Sequence, residues 1–147
     1  MKIDIRDFQK KDMKRILGYR KETGSISFPG LMMDMGKYRK SMMLQMRRYP
    51  GTIKVAEAGG RPIGYISFRP RKGSLGVHGH INIVFVEKKY RNRGIGELLL
   101  KEAEGWFHSH GIKRIEAVVT NTNSRSIGFF KARRFREKRT VLEKSCS

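Results

Sequence analysis

The residue types with the clearest chemical meaning lie in a short basic turn, Arg91-Asn92-Arg93-Gly94-Ile95-Gly96. An apolar run over residues 81–86 precedes the turn, and a predicted amphipathic helix over 95–108 follows it. Glycine lets the backbone approach a ligand closely, and the first N–H groups of a helix have no partner inside the helix. Together with the helix dipole and two arginines, these donors are suited to a phosphate group. The turn therefore predicts a site for a phosphorylated ligand.

The same turn is also compatible with an ordinary tight bend at a solvated, basic corner. Two established phosphate-binding patterns are absent from the sequence. A Gly-x-Gly-x-x-Gly fingerprint would need a glycine at Leu99, and no eight-residue loop ends in Gly-Lys-Ser/Thr. The turn alone leaves both interpretations open, so the rest of the chain has to decide between them.

Length and charge limit the classes of protein to consider. With 147 residues the chain is long enough for a buried core, and we expect a single domain over residues 1–147. Thirty-three Lys and Arg against thirteen Asp and Glu give a formal net charge of +20. Such a charge attracts polyanions, whether a nucleotide cofactor, RNA or an acidic protein. RNA stays open as a partner, although no ribonucleoprotein motif or zinc-finger spacing accompanies the charge.

Cysteine usage and hydropathy predict a cytoplasmic protein that does not enter a membrane. One cysteine, Cys146, cannot form an internal disulfide. The segment Met1–Arg6 lacks the apolar run of a signal peptide, and no apolar stretch approaches the roughly 20 residues that span a bilayer. No group of His, Cys, Asp and Glu has metal-ligand spacing, so we predict no metal.

Hydrophobic periodicity predicts an α/β protein with the order β-α-α-β-β-β-α-β-α-β. Such an order indicates a mixed, mostly antiparallel central sheet flanked by helices. The predicted elements are a first strand around Ile3–Ile5, helices over 13–21 and 37–48, strands over 52–57, 63–69 and about 75–86, a helix over 95–108, a strand over 113–120, a helix over 124–133 and a last strand over 136–142. A loop is predicted over 23–30.

This order, with the basic turn after the fourth strand, resembles the GNAT superfamily of acetyl-CoA-dependent N-acetyltransferases. The family signature is Arg or Gln, two variable residues, Gly, one variable residue, then Gly or Ala, and residues 91–96 match it fully. The apolar Val86 and the aromatic Tyr90 also fit the family's surroundings of this motif. A second motif, which begins with Asn and ends in an aromatic stretch, is similar to residues 123–135. The resemblance implies a GNAT-like fold with acetyl-CoA as co-substrate.

Carried over residue by residue, the resemblance implies where acetyl-CoA binds. The backbone of Phe85 and Val86 is expected to pair with the pantetheine arm as an added strand would. The amides of the turn are expected to hold the pyrophosphate, and the Asn123 side chain to reach the pantetheine. The implied cofactor-binding set is Phe85, Val86, Arg91, Asn92, Arg93, Gly94, Ile95, Gly96, Asn123, Ser126 and Phe130.

Two positions depart from the family pattern. Many members carry a tyrosine at the position of Phe130, which is thought to protonate the departing thiolate. Phenylalanine cannot donate a proton, so water or another residue has to take that role. The glycine that usually precedes Phe135 is replaced by Arg134, which leaves the end of that helix undefined.

Candidates for a general base lie on the fourth strand. Strand alternation places His78, His80 and Asn82 on one face, with the same parity as Val84 and Val86. Some family members carry histidines at the positions that match His80 and Asn82, where they relay protons through water. The resemblance thus implies catalytic roles for these two residues. The alternative is that the histidines are surface residues of a loop that enters the strand.

A carboxylate on the next strand, Glu116, is a weaker candidate, because it would fit a solvent-exposed face equally well. A base matters most for lysine acceptors, whose reference pKa is about 10.4, and least for an α-amino group at about 7.7–8.0. The resemblance implies direct acetyl transfer to a primary amine: a protein N-terminus, a lysine or a small molecule. The alternative is a CoA-binding module that acts mainly as a basic binding or regulatory domain on RNA. A monomer and a homodimer both remain open.

Overall fold

The computed structural model of the chain describes residues 1–27 and 33–146. Five strands form one sheet in the order β1-β2-β3-β4-β5, antiparallel throughout except for the parallel pair β4–β5. The predicted mixed α/β fold is confirmed. The strands are β1 (Ile3–Asp7), β2 (Ile53–Ala58), β3 (Arg61–Gly73), β4 (Gly76–Val86) and β5 (Ile115–Ala117), and the helices are α1 (Met13–Ser27), α2 (Met35–Arg48), α3 (Ile95–Ser109) and α4 (Ser124–Lys131).

Two apolar clusters hold helices against opposite faces of the sheet. On one face, α3 buries Leu99, Ala103 and Phe107 against β3 and β4, and α4 adds Phe130. On the other face, α1 and α2 pack against the sheet around the fully buried Tyr65 of β3. We refer to these as the α3 face and the α2 face. Burial at helical spacing explains why the long amphipathic segments of the sequence fold as helices.

The short β5 leaves much of β4 without a neighbour on one side. β5 pairs with β4 only from Gly79 to Ile81, opposite Ile115 to Ala117. Beyond Ile81, β4 continues to Val86 with β3 alone as its described neighbour. The two parallel strands therefore separate at this point, and the β4 backbone over residues 82–86 keeps an open edge.

A β-bulge in β4 changes which side chains share a face. Ile83 lies opposite Ser67 and Ile81 lies opposite Phe68, so Asn82 is an extra residue in the ladder. His78, His80 and Asn82 share one face, as predicted, and it is the α2 face. The prediction that Val84 and Val86 share that face is wrong: both pack in the α3-face cluster. Simple alternation fails here because the extra residue reverses the parity of all that follows.

Two other predicted elements differ from the structure. The strand predicted over Arg136–Leu142 is wrong, because this segment forms neither strand nor helix and Leu142 is 90% exposed. Its charged side chains offer no apolar face to bury; Lys138 and Arg139 bind Glu116 instead. The loop predicted from Thr23 is wrong as far as Ser27, which is still helical, and residues 28–30 lie outside the described part. No helix in the described ranges is long and apolar enough to cross a membrane.

Candidate functional site

The basic turn ends at a left-handed glycine where α3 begins. Gly94 is the N-cap residue with φ of 78°, and its carbonyl accepts the first helical hydrogen bond, from the N–H of Leu98, at 3.1 Å. The N–H groups of Ile95 and Gly96 therefore have no partner within the helix. A Cβ added at Gly94 would meet no atom of the described chain within 4 Å. The free donors at this helix start border open space.

The second glycine of the motif allows α3 and α4 to approach each other. A Cβ at Gly96 would lie 2.8 Å from Cε1 of Phe129 on α4, far closer than real side chains allow. A larger residue here would require this ring to shift. The motif thus sets both the conformation of the turn and its distance from the next helix.

The arginine side chains of the turn bind mainly within the protein. The Arg91 Nε–H donates to the Val86 carbonyl at 2.8 Å, and its guanidinium lies 5.6 Å from the centre of the Phe85 ring. The Arg93 guanidinium lies 5.8 Å from the Tyr90 ring. These contacts connect the turn to the end of β4 and to Tyr90.

A cleft of about 290 Å³ opens between the end of β4, the turn and α4. It begins beside the open edge of β4 and extends over the start of α3. The cleft is lined by Val84, Phe85, Val86, Tyr90, Arg91, Asn92, Gly94, Ile95, Gly96, Arg125, Ser126, Phe129, Phe130 and Arg133. Of the cofactor-binding residues implied by the sequence, Arg93 and Asn123 are the two outside this lining.

Two arginines that line the cleft were missed in the sequence analysis: Arg125 on α4, and Arg133 just beyond the end of α4 at Lys131. Arg125, Phe129 and Arg133 are spaced by four residues and line the cleft together, as do Ser126 and Phe130. The guanidinium carbon of Arg133 lies 4.0 Å from the centre of the Phe129 ring. The buried Nε of Arg133 has no hydrogen-bond partner in the described ranges. An unpaired buried donor of this kind costs free energy unless a ligand satisfies it. The period of four was the signal available in the sequence.

Asn123 has a structural role as the N-cap of α4. Its side-chain oxygen accepts a hydrogen bond from the Ser126 N–H at 3.2 Å, and the residue is only 8% exposed. This cap orients the first turn of α4 and thereby places Phe130 in the wall of the cleft. Tyr90 joins Ser126 as a hydroxyl-bearing residue of that wall, where Phe130 has none.

The three predicted catalytic residues come together on the opposite side of the β4 edge, on the α2 face. His80 lies in register with Glu116 across β4 and β5. His78 adds its Nε2 at 3.4 Å from Oε2 of Glu116. Asn82 donates to the Ser67 hydroxyl at 3.0 Å, next to Gln45 of α2. Strand parity predicted that His80 and Asn82 lie near each other. It did not predict the hydrogen bonds of Asn82 with Ser67 and Gln45.

The two titratable candidates have shifted pKa values. Burial, and then the positive charges of Arg71 and Arg69, lower the pKa of His80 to about 4. Its imidazole is therefore neutral near pH 7 and has little affinity for a proton. A hydrogen bond from Lys138, with further cations nearby, lowers the pKa of Glu116 to about 2. Glu116 is a fully ionised, paired carboxylate.

Comparison with known proteins identifies the family. The profile of the acetyltransferase (GNAT) family matches residues 17–135. The chain belongs to this family. A search of curated protein sequences gave no match. Among the described residues, no group of three or more His, Cys, Asp and Glu is placed to hold a metal ion.

Solved structures share the fold at low sequence identity. The aminoglycoside acetyltransferase AAC(6')-Iy, in complex with a bisubstrate analogue of CoA and acetylneamine, is 19% identical with a TM-score of 0.77, and each chain is covered to 100%. A GCN5-related N-acetyltransferase from Ralstonia eutropha JMP134 is 19% identical, with a TM-score of 0.76 and 99% of each chain covered. A predicted acetyltransferase from Clostridium acetobutylicum, solved with acetyl-CoA, is 17% identical with a TM-score of 0.78, covering 98% of this chain and 96% of its own.

Family membership makes the protein an acetyl-CoA-dependent N-acetyltransferase. The chemistry of the cleft agrees with such a donor, because it combines unpaired helix N–H groups, three arginines and an apolar wall. CoA carries phosphates at one end and a long, mostly uncharged arm at the other. The phosphates need donors and cations, and the arm needs an open strand edge.

Proposed function

We propose that this acetyltransferase moves the acetyl group directly to a primary amine while donor and acceptor are bound together. The observation that carries the proposal is the open edge of β4. Residues 84–86 line the cleft, and the same strand carries His80 and Asn82 on the α2 face. A donor lying along this edge brings its thioester to the point where β4 and β5 separate. The acceptor then approaches from the α2 face.

On the donor side, the N–H groups of Ile95 and Gly96 and the cations of Arg125 and Arg133 are the proposed phosphate ligands. The position of Arg125 and Arg133 in the lining of the cleft supports this assignment, because guanidinium groups bind phosphate oxygens strongly. The backbone of Phe85 and Val86 is the proposed partner of the pantetheine amides, in the manner of an added strand. Asn123 supports this site indirectly, by capping α4.

On the acceptor side, the chain offers orientation and hydrogen bonding rather than a strong base. A neutral His80 can accept a hydrogen bond from the amine, but its pKa of about 4 gives it little capacity to hold a proton near pH 7. Glu116 is already saturated with cationic partners. We therefore propose that the enzyme selects amines that are substantially neutral near pH 7. An α-amino group, with a reference pKa of about 7.7–8.0, meets this condition better than lysine does at about 10.4.

The thiol leaving group needs a proton that Phe130 cannot supply. Tyr90 and Ser126 carry hydroxyl groups in the wall of the cleft, and solvent reaches the same region. We propose that one of these sources replaces the tyrosine that many family members have. The matching substitutions Tyr90→Phe and Ser126→Ala distinguish these sources, because only the residue that supplies the proton lowers the rate of thiol release when removed.

Calorimetric titration with acetyl-CoA tests the donor site. Gly94→Trp should abolish binding by filling the open space at the start of α3. Gly60→Trp is the matched control, because Gly60 has nearly the same φ, 77° against 78°, and equally open surroundings in the β2–β3 turn. Loss in Gly94→Trp alone supports the site. Equal loss in both variants, or no binding to the wild type, overturns it, and salt-sensitive RNA binding would then favour the RNA-binding alternative.

A further inference from the structure

The α2 face beside the β4–β5 junction is strongly basic. Arg69 and Arg71 of β3 lie in register with His80 and His78 of β4, so these side chains emerge side by side. Within the described ranges neither arginine forms an ion pair with a carboxylate. An acceptor that reaches His80 therefore enters a region with two uncompensated positive charges.

The carboxylate of this face does not offset those charges. The Glu116 carboxylate forms three ion pairs with lysine and arginine: its Oε1 lies 2.6 Å from Arg114 Nη1 and 2.9 Å from Lys138 Nζ, and its Oε2 lies 2.9 Å from Arg139 Nη2. Its Oε2 also lies 3.4 Å from Nε2 of His78. Both oxygens are thus occupied, and three cations surround one anion. A cationic acceptor finds no free carboxylate here, whereas an anionic group meets an excess of positive charge.

The same charges act on the protonation of a bound amine. A positive charge nearby disfavours the ammonium form and so favours the neutral, nucleophilic amine. His80 already shows this effect, since Arg71 and Arg69 contribute to the lowering of its pKa. The basic face can therefore perform part of the task of a general base without accepting a proton itself.

We propose that the acceptor is the α-amino group of a polypeptide whose next residues are acidic, held by Arg69, Arg71 and the Lys138–Arg139 segment. This inference rests on the proposed function and specifies its substrate. In the reaction the amine nitrogen bonds to the acetyl carbon and the carbon–sulfur bond breaks. The amine loses one proton, and the departing sulfur gains one to leave as the CoA thiol.

A polypeptide fits this face better than RNA does. Sequence-tolerant RNA binding combines cations with aromatic side chains on which bases stack. Between the cations of this face lie His78, His80 and Asn82 in place of Phe, Tyr or Trp. His78 and His80 are each only 9% exposed, so they offer no stacking surface.

The test uses three peptides that share an N-terminal residue and differ in the two that follow: Asp-Asp, Ser-Ser or Lys-Lys. Thiol release from acetyl-CoA measures kcat/KM for each. We expect the acidic peptide to exceed the neutral one by about tenfold, and the neutral one to exceed the basic one by a similar factor, with a smaller spread at high salt. Titration of acetyl-CoA in parallel reports the donor site separately.

Two charge variants locate the effect. Arg69→Gln/Arg71→Gln should bring the three kcat/KM values to within about threefold of each other. Arg71→Gln alone, at an exposed position, should show part of this change if the double variant fails to fold. The control, Lys2→Gln/Lys101→Gln, removes the same charge from the residue before β1 and from α3, where both lysines are exposed. It should leave the order and spread of the peptides unchanged.

Each contrary result overturns the inference in a recognisable way. Equal turnover of the three peptides, or preference for the basic one, excludes an acidic acceptor while leaving the acetyltransferase activity intact. Acetyl-CoA binding without turnover of any peptide N-terminus excludes the acceptor class. RNA binding that Arg69→Gln/Arg71→Gln abolishes, without any peptide selectivity, assigns the face to RNA. Failure of acetyl-CoA to bind contradicts the proposed function as well.

Discussion

The donor cleft and the acceptor face are built on the two sides of one strand, yet by different means. The cleft depends on backbone conformation: a left-handed Gly94, a Gly96 that admits Phe129, and an open strand edge. The acceptor face depends on side-chain charges placed by strand register. Backbone geometry requires particular residue types at fixed spacing, whereas a charged face can be built in many ways. The cleft is therefore tied to the motif at residues 91–96, whereas no sequence motif fixes the charges of the acceptor face.

The largest expected effect comes from the glycine that contacts α4. Gly96→Ala places a Cβ 2.8 Å from Phe129, and overpacking of this kind costs about 2 kcal/mol, or roughly 30-fold in acetyl-CoA affinity if it displaces the cleft wall. The melting temperature should fall as well. Titration calorimetry and a thermal melt measure the two effects.

Gly105→Ala is the matched control for this substitution, because it lies on the same helix with no atom of the described chain within 4 Å of the added Cβ. It should raise the melting temperature, since alanine favours a helix over glycine by about 1 kcal/mol. The two substitutions are thus expected to shift stability in opposite directions. If both substitutions raise the melting temperature, helix propensity rather than the contact with α4 determines the stability change at both positions.

This contrast explains which parts could be read from the sequence. The turn over 91–96 and α3 were predictable, because φ above zero and free helix donors demand glycine at fixed positions. Arg125 and Arg133 were not predicted, because basic residues on and just after a short helix also fit a solvated surface. The bulge at Asn82 could not be predicted either, because no residue type in the sequence marks it. It becomes visible only from the register of β3 and β4. For the same reason, Val84 and Val86 were assigned to the wrong face.

The next effect tests whether Arg133, just beyond the end of α4, contributes to the donor site. Arg133→Gln should weaken acetyl-CoA binding about tenfold, the value of one hydrogen bond to a charged group, without changing KM for the amine. Arg136→Gln, three residues on and exposed, removes the same charge and should leave binding unchanged. If the KM for the amine rises while the affinity for acetyl-CoA stays normal, Arg133 contacts the acceptor rather than the donor. The cleft and the acceptor face would then not be separate sites.

A smaller effect is expected for His80, because a neutral imidazole only orients the amine. His80→Gln should lower kcat by about threefold and leave the pH–rate profile between about pH 6 and pH 9 in place, whereas loss of a general base would cost about 100-fold or more. Stability gives an independent readout. In the unfolded chain His80 has a pKa near the reference value of 6.5, so below that pH it binds a proton more readily than in the folded protein.

The wild type should therefore lose stability as the pH falls from about 6.5 towards 4, and His80→Gln should lose less over that range. Thermal melts of both proteins across this range measure the difference. Parallel curves would show that His80 titrates normally in the folded protein. His80 would then be able to act as the general base, and the charges of Arg69 and Arg71 would not be needed to favour the neutral amine.

The smallest effect distinguishes structure from catalysis at Glu116. Its pKa is lowered from 4.5 to about 2, so its ion pairs stabilise the fold above pH 4.5 and lose this contribution as the pH falls towards 2. Because its partners are largely exposed, Glu116→Gln should cost only about 1 kcal/mol, or roughly 2–4 °C in melting temperature near pH 7. Glu137→Gln, which removes an exposed carboxylate paired with Lys131, should cost less. If Glu116→Gln instead lowers kcat by about 100-fold with an unchanged melting temperature, Glu116 acts as the base, and acidic-peptide selectivity has to be explained without it.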